Sequence, residues 1–149
     1  VKVITVIQTA IDIVSPQFKN AQTLINREGI PTDLYVKADI IQLEQVLINL
    51  ISNALHAIAE NTTGEIIIHC IRSDKQISIH VDDNGPGIDA QNLSKIFDPF
   101  FTTKKSGLGL GLSISARIID SMAGSLIAIN LQDAGARFTL SLPDAGSQI

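Results

Sequence analysis

The chain has 149 residues, of which 45% are hydrophobic and 17% charged, so it holds enough apolar side chains for the core of one globular domain. Its net charge of −4 and its aromatic content of 4%, without Trp, argue against a nucleic-acid binder that relies on a basic field or on base stacking. The single cysteine excludes an internal disulfide and a cysteine-cluster zinc site, and no apolar run approaches the roughly 18 residues of a membrane span.

The first predicted elements are a helix and two short strands. Apolar residues recur at i, i+3, i+4 and i+7 over Val3–Val14, which predicts an amphipathic helix. Because this pattern begins without a capping residue or an initiator Met, we expect the chain to be a fragment of a longer protein. Short strands are predicted at Thr23–Arg27 and Leu34–Lys37, separated by Gly29 and Pro31.

The clearest helical pattern begins after Asp39. This residue has Gln42 three positions later, which is a capping-box arrangement with Asp in place of Ser or Thr. Apolar residues then recur at helical spacing from Leu43 to Ile58. We predict one long helix that ends near Asn61.

Two hairpins and another helix complete the predicted fold. Strands are expected at Glu65–Arg72 and Gln76–Asp82, and again at Ser125–Leu131 and Arg137–Leu142, with a helix from about Gly109 to Met122 between the pairs. Apolar residues alternate with polar ones along the second strand, as in a sheet with one covered face. We therefore predict an α/β two-layer sandwich: a mixed, mainly antiparallel sheet covered on one face by about three helices.

Two asparagines interrupt the apolar pattern of the long helix. Asn49 and Asn53 lie four residues apart and therefore on one face. Asn is a poor residue for a helix interior, because its amide competes for backbone hydrogen bonds. The pair presents neutral oxygen ligands that suit Mg²⁺, which keeps waters and substrate phosphates as its other ligands. The alternative interpretation is a solvated or internally satisfied amide pair.

A short polar and glycine-rich segment follows the second predicted strand of the first hairpin. Asp83 can accept a proton from an exocyclic amine, and Gly85 and Gly87 allow the backbone to approach a flat ring closely. An Asp-x-Gly-x-Gly sequence is also common in ordinary turns, so it does not by itself establish a site.

A second glycine cluster opens the following helix. Gly107, Gly109 and Gly111 alternate with leucines, which leaves backbone N–H groups open at a helix N-terminus and predicts a cradle for phosphates. The spacing matches neither a dinucleotide-binding fingerprint nor a P-loop. Helix packing is the alternative role for these glycines.

The segment between the glycine clusters is long and has little periodicity. Phe97, Phe100 and Phe101 lie within five positions, and Lys104 and Lys105 follow. We interpret this segment as a mobile lid that is anchored by its phenylalanines and that meets phosphates through its lysines. A loop held by a small hydrophobic cluster is the alternative.

Taken in order, these four features resemble the N, G1, F and G2 boxes of the catalytic and ATP-binding domain of two-component sensor histidine kinases, in the GHKL superfamily. The resemblance covers nearly the whole chain and includes the AGSL sequence at 123–126 and the GARF sequence at 135–138. Residues 45–58, QVLINLISNALHAI, are most similar to the nitrogen- and C4-dicarboxylate-sensing branch. The family fold is the Bergerat α/β sandwich, which is consistent with the two predicted layers.

The resemblance implies a role for each matching residue. Asp83 would accept the adenine amino group, and Asn53 would be the main Mg²⁺ ligand with Asn49 beside it. His56 and Lys104 would act with the two asparagines in catalysis, with a helix-surface histidine without a role as the alternative for His56. The nucleotide-binding set implied by the resemblance is completed by Gly85, Gly87, Ile88, Phe97, Thr102, Thr103, Lys105, Gly107, Leu108, Gly109, Leu110, Gly111 and Leu112.

The resemblance also implies a larger protein. Residues 1–22 would be a first helix and linker from a dimerisation and phosphoacceptor module, and residues 23–149 the catalytic ATP-binding domain. The three histidines His56, His69 and His80 lack the His-Glu or His-Asp context of a phosphoacceptor, so ATP–Mg²⁺ would phosphorylate a histidine on that separate module. A response regulator would be an indirect partner, and this domain would be the cytoplasmic part of an inner-membrane sensor without membrane contact of its own.

One difference from the GHKL ATPases separates the possible activities. GHKL ATPases have a Glu general base four residues before the Mg²⁺-binding Asn, whereas this chain has Asn49, which cannot accept a proton at neutral pH. Glu44 is nine residues before Asn53, about 900° around the helix and therefore on its opposite side. His56 and Ala57 stand where many relatives have Lys and Tyr. Phosphoryl transfer is thus favoured over a GHKL-type ATPase. The intact boxes favour it over a regulatory ATP-binding module without transfer activity, and the coincidence of four polar features favours it over a purely structural domain.

Overall fold

One five-stranded sheet forms the centre of the computed structural model, which describes residues 1–18, 23–58, 64–101 and 111–146. The helices are α1 (Val3–Val14), α2 (Ile40–Ala57), α3 (Ala90–Leu93) and α4 (Gly111–Ser121), with a 3₁₀ turn at Ser15–Phe18. The strands are β1 (Thr23–Asn26), β2 (Gly64–Ser73), β3 (Gln76–Asp83), β4 (Ser125–Asn130) and β5 (Ala136–Pro143).

The strand order is β1-β2-β3-β5-β4. Strand β1 runs parallel to β2, whereas the other three pairings are antiparallel, so the predicted mixed and mainly antiparallel sheet is confirmed. Strand β3 lies in the middle, where its last residue, Asp83, pairs with Ile66 of β2. The central position of β3 places its C-terminal end between β2 and β5.

Helix α2 begins as its sequence predicts. The side chain of Asp39 accepts a hydrogen bond of 2.9 Å from the backbone N–H of Gln42, and the apolar stripe that begins at Leu43 is buried. The helix ends at Ala57, however, and not near Asn61. Ile58 already has an extended backbone (ψ 128°), and its side chain lies in the core at 8% exposure.

Helix α1 belongs to the same hydrophobic core as α2. Val3, Val6 and Ile7 are at most 1% exposed and pack within one cluster with the α2 stripe. The N–H of Val3 donates to the carbonyl oxygen of Leu34 at 3.0 Å. This helix is therefore an integrated part of the folded unit, and a division of the chain at residue 22 remains a prediction.

The prediction of a strand at Leu34–Lys37 is wrong. Tyr35 and Val36 form only isolated bridges, with Lys2 and Asp144 respectively. The N–H of Val36 donates to Val1 and the N–H of Lys37 to Pro143, so this segment bonds in turn to two unrelated parts of the chain. A continuous ladder needs successive bonds to a single partner strand.

The helices cover one face of the sheet. Inward residues of β2, β3 and β5, such as Ile68, Ile79 and Leu140, are fully buried against them. The opposite face carries polar residues and several exposed isoleucines, including Ile71 and Ile127. Within the four described ranges, no helix is both long and apolar enough to cross a bilayer.

Candidate functional site

The C-terminal end of β3 holds a buried carboxylate. Asp83 is 4% exposed, and its Oδ1 accepts N–H bonds from Gly85 at 2.9 Å and from Ala136 at 3.3 Å. Burial raises the pKa of Asp83 against the opposing effect of these two bonds, and the neighbouring charge of Asp82 raises it further. A hydrogen-bond donor that reaches this site would therefore stabilise the charged form of the Asp83 carboxylate.

Gly85 brings this carboxylate to the end of α2. A Cβ at Gly85 would lie 2.6 Å from the carbonyl oxygen of Ala57, so only glycine allows the turn to pack against the last turn of the helix. The turn after Asp83 therefore packs against the C-terminal end of α2, the half of the helix that carries Asn53 and His56.

The hairpin between β4 and β5 closes the other side of Asp83. Gly135 has φ +92°, and a Cβ on it would overlap the carbonyl oxygen of Asp83 and lie 2.6 Å from its carbonyl carbon. In the sequence, Gly135 contributes only to the resemblance in the GARF segment. Its contact with Asp83 joins residues 52 positions apart, which no local pattern indicates.

The two asparagines of α2 have different surroundings. Nδ2 of Asn49 donates to Oγ of the buried Ser115 at 3.1 Å, which joins α2 to α4. A Cβ at Gly111 would lie 2.8 Å from Oδ1 of Asn49, so the start of α4 packs closely on this amide. Asn53 lies one turn later and is half-buried. Asn49 therefore has a structural contact, and its role as a metal ligand remains a prediction.

The turn after Asp83 is fastened at its far end by a residue that the motifs do not indicate. Asn130, the last residue of β4, accepts a bond from the N–H of Ile88 at 2.8 Å and donates one to its carbonyl oxygen at 2.6 Å. Gly87 has φ +82°, and a Cβ there would lie 2.9 Å from Oδ1 of Asn130. The sequence offers no signal for Asn130 beyond its place at the end of a strand.

The phenylalanine segment is only partly anchored. Phe97 packs edge-to-face on Phe138, with ring centroids 6.3 Å apart, and Phe101 packs against the core. Phe100 is 71% exposed with φ +67°, so the prediction that all three phenylalanines anchor the segment is wrong at this position. A left-handed backbone turns its side chain away from the core that its neighbours reach.

The remaining predicted residues are divided between described and undescribed parts of the chain. Leu112 packs against the core at the start of α4. His56 is exposed on the last turn of α2, where its ring Nδ1–H donates to the carbonyl oxygen of Ser52 at 2.8 Å. The predicted site residues outside the described ranges are Thr102, Thr103, Lys104, Lys105, Gly107, Leu108, Gly109 and Leu110.

A charged cluster lies on the outer face beside the site. Asp82 receives two bonds of 2.8 Å from the Arg137 guanidinium, and Nε2 of His69 lies 3.1 Å from the same carboxylate. Burial acts to raise the pKa of Asp82, but the bonds from Arg137 and His69 prevail and lower it. His80 faces His69 across the sheet, which confirms both histidines as sheet residues. Neither motif nor spacing predicts this cluster.

This geometry can be compared with known proteins. The model of the family described as histidine kinase-, DNA gyrase B-, and HSP90-like ATPase matches residues 38–146, a range that holds both asparagines and Asp83. The chain belongs to this family. Its two-layer sandwich is the GHKL fold that the motifs predict, and the buried carboxylate lies at the end of its central strand.

Curated relatives of this GHKL domain are named sensor kinases. The chain is 49% identical over 109 residues to the signal transduction histidine-protein kinase AtoS of Escherichia coli, covering 72% of this chain and 18% of that protein. It is 37% identical over 140 residues to the C4-dicarboxylate transport sensor protein DctB of Rhizobium meliloti, covering 94% and 22%. The domain thus spans about a fifth of the length of these relatives.

Solved structures share the fold. The catalytic domain of histidine kinase ThkA superposes with a TM-score of 0.82 at 34% identity, covering 96% of this chain and 93% of that one. Full-length ShkA in complex with AMPPNP gives a TM-score of 0.81 at 26% identity, covering 100% and 31%. ThkA in complex with the response regulator protein TrrA gives 0.83 at 31% identity, covering 98% and 41%.

Proposed function

We propose that this GHKL domain binds ATP with Mg²⁺ and delivers the γ-phosphoryl group to a histidine on a separate dimerisation module of a sensor kinase. The observation that carries the proposal is the buried carboxylate of Asp83 at the end of β3, packed through Gly85 against the end of α2. The names of the relatives and the AMPPNP in the ShkA structure support the same function.

Asp83 would select adenine by accepting a hydrogen bond from its exocyclic amino group. Backbone N–H groups of Gly85 and Ala136 already occupy Oδ1, which holds the carboxylate in one orientation. Because Asp83 is 4% exposed, water competes little for its remaining acceptor capacity, and a donor of the right shape gains a charge-assisted bond. Gly85 and Gly87 would leave room for the ring beside the turn.

The metal would be held mainly by the nucleotide. Among the described residues, no three His, Cys, Asp or Glu side chains come together as metal ligands. The donors that fit are the amide oxygens of Asn53 and Asn49, since Mg²⁺ accepts one or two protein oxygens together with substrate phosphates. When bound, Mg²⁺ would neutralise charge on the β- and γ-phosphates. Asn53 would orient the phosphates relative to the adenine held by Asp83.

Transfer to a protein is proposed over hydrolysis of water. The position of the ATPase general base is occupied by Asn49, whose Nδ2 donates to Ser115. A neutral amide is too weak a base to deprotonate a water molecule at neutral pH. The contribution of this domain would then be to position the phosphoryl donor for an acceptor histidine that arrives from outside.

The partners follow from the same proposal. The acceptor histidine would lie on the helical dimerisation module that precedes residues 1–22, and a response regulator would receive the phosphoryl group afterwards. The ThkA structure in complex with the response regulator protein TrrA supports a response regulator as a partner. A parent protein in the inner membrane, with this domain on its cytoplasmic side, belongs to the same proposal.

Calorimetric titration tests nucleotide binding. The chain is expected to bind ADP and ATP in the presence of Mg²⁺, and no detectable heat at millimolar nucleotide would contradict the proposal. Transfer is tested by mixing the chain with the upstream helical module and radiolabelled ATP. Label on a histidine of that module indicates a kinase, steady release of phosphate indicates an ATPase, and binding without either indicates a regulatory module.

The Asn53→Ala variant tests the metal ligand. Mg²⁺ is expected to increase ATP affinity in the unchanged chain. Because Asn53→Ala lacks one oxygen ligand, this increase should be about tenfold smaller in the variant, the scale of one charge-assisted contact. Affinity for ATP measured with EDTA should be unchanged. Asn92→Ala is the control, since it removes a partly exposed asparagine of another helix, α3. An undiminished Mg²⁺ effect in Asn53→Ala would remove Asn53 from the metal site.

A further inference from the structure

The β4–β5 hairpin holds the turn after β3 at both of its ends. At one end, the N–H of Ala136 donates to Oδ1 of Asp83. At the other, the amide of Asn130 makes two hydrogen bonds to the backbone of Ile88, of 2.8 and 2.6 Å. Asn130 and Ala136 are direct cross-strand partners, so both attachments come from one rung of the hairpin.

The second attachment uses both polar groups of the Asn130 amide. The N–H of Ile88 can only donate and its carbonyl oxygen can only accept, so the partner must present an acceptor and a donor side by side. A carboxylate or an aliphatic side chain of the same length lacks at least one of these groups. The orientation of the Asn130 amide is also fixed, because exchanging its oxygen and nitrogen would remove both bonds.

The close approach of the Asn130 side chain also explains the glycine at position 87. Oδ1 of Asn130 would lie 2.9 Å from a Cβ at that position, where the backbone also has φ +82°. The side chain of Asn130 therefore lies over Gly87 while it bonds Ile88. The closing bond of the hairpin, from the N–H of Leu131 to the carbonyl oxygen of Gly135, keeps this rung in place.

We infer that Asn130 is a positioning residue for nucleotide binding, which fastens the Ile88 end of the turn whose other end carries Asp83. This inference rests on the proposed function, in which that turn forms the wall of the adenine site. Ordering the turn before the ligand arrives reduces the entropy that binding must otherwise remove. Asn130 acts through Ile88 and needs no contact with the nucleotide.

The test compares Asn130→Ala with Asn26→Ala in the 149-residue chain. Asn26 lies on β1, at the other edge of the sheet, and its side chain likewise accepts a backbone N–H bond, from Glu28. In Asn130→Ala the amide of Ile88 is expected to exchange its hydrogen faster, while the thermal midpoint shifts no more than in the control. Affinities for ADP and ATP are expected to fall about three- to tenfold and by equal factors, since the base end is affected.

The outcomes separate the inference from the proposed function. If the unchanged chain binds no nucleotide, the proposed function is wrong, whereas the exchange rate of Ile88 still decides whether Asn130 fastens the turn. If the unchanged chain binds and Asn130→Ala binds within twofold of it, the inference is wrong. Faster exchange throughout the core, or a loss of affinity for ATP but not for ADP, would also overturn the positioning role at the base.

Discussion

The Gly135→Ala variant is expected to lose about 3–5 kcal/mol of unfolding free energy, the range of the most damaging single substitutions. An added Cβ would overlap the carbonyl oxygen of Asp83, and the backbone at Gly135 has φ +92°. The atom in the way belongs to the backbone of the central strand, so it cannot rotate aside as a flexible side chain would. Urea unfolding monitored by circular dichroism measures the loss.

Gly29→Ala is the matched control for this substitution. Gly29 has a similar φ of +81°, but a Cβ there would meet nothing within 4 Å. Gly29→Ala should therefore lose only about 1–2 kcal/mol of unfolding free energy, the cost of holding an alanine in a left-handed backbone conformation. Equal losses in the two variants would show that the contact between the hairpin and Asp83 contributes nothing to the stability of the fold.

Asp83→Asn is expected to weaken nucleotide binding by about 1–3 kcal/mol, the range for a hydrogen bond to a charged group and equivalent to roughly 5- to 150-fold. If Oδ1 keeps its bonds to Gly85 and Ala136, the new amide nitrogen faces the adenine amino group, and two donors then meet. Calorimetric titration with ADP measures the loss. Asp89→Asn, an exposed carboxylate nearby on the same loop, is the control.

Asp83→Asn is expected to leave the stability of the fold unchanged or to increase it, although it weakens nucleotide binding. Burial raises the pKa of Asp83 above its ordinary value of 3.8, so the group stabilises the fold fully below that value and loses this contribution as the pH rises through the raised pKa. At neutral pH the charged form is already disfavoured by the fold. The neutral Asn should therefore unfold at an equal or higher urea concentration. If Asp83→Asn were clearly less stable than the unchanged chain, its weaker nucleotide binding would be due to misfolding.

The pH dependence of binding gives a second measurement of the same group. Protonation removes the carboxylate acceptor, and the raised pKa of Asp83 brings this loss to a higher pH than for an ordinary carboxyl. The ratio of ADP affinities between the unchanged chain and Asp83→Asn cancels titration of the ligand phosphates. This ratio should fall as the pH decreases toward the raised pKa, and a constant ratio would contradict adenine recognition by a charged Asp83.

Local patterns were sufficient for most of the secondary structure. The capping pair Asp39 and Gln42 and the stripe from Leu43 onward predict α2, because both signals act within a few residues of each other. The pattern fails at Leu34–Lys37, where apolar alternation resembles a strand but the backbone bonds go to Val1 and Pro143. It also fails at Phe100, whose left-handed backbone exposes a side chain that composition alone would bury.

The sequence by itself determined the family and the two layers, and it predicts Asn49, Asn53 and Asp83 as the central residues, since each belongs to a motif only a few residues long. Only the tertiary structure decided what holds Asp83 in place. Gly85 reaches Ala57, Gly135 reaches Asp83, and Asn130 bonds Ile88 across 42 positions of the chain. Such contacts depend on which strands become neighbours in the sheet, and strand order leaves no trace in local spacing. Among the described glycines of the sequence motifs, Gly85 meets a backbone carbonyl, and Gly87 and Gly111 meet asparagine side chains, through approaches that exist only after folding.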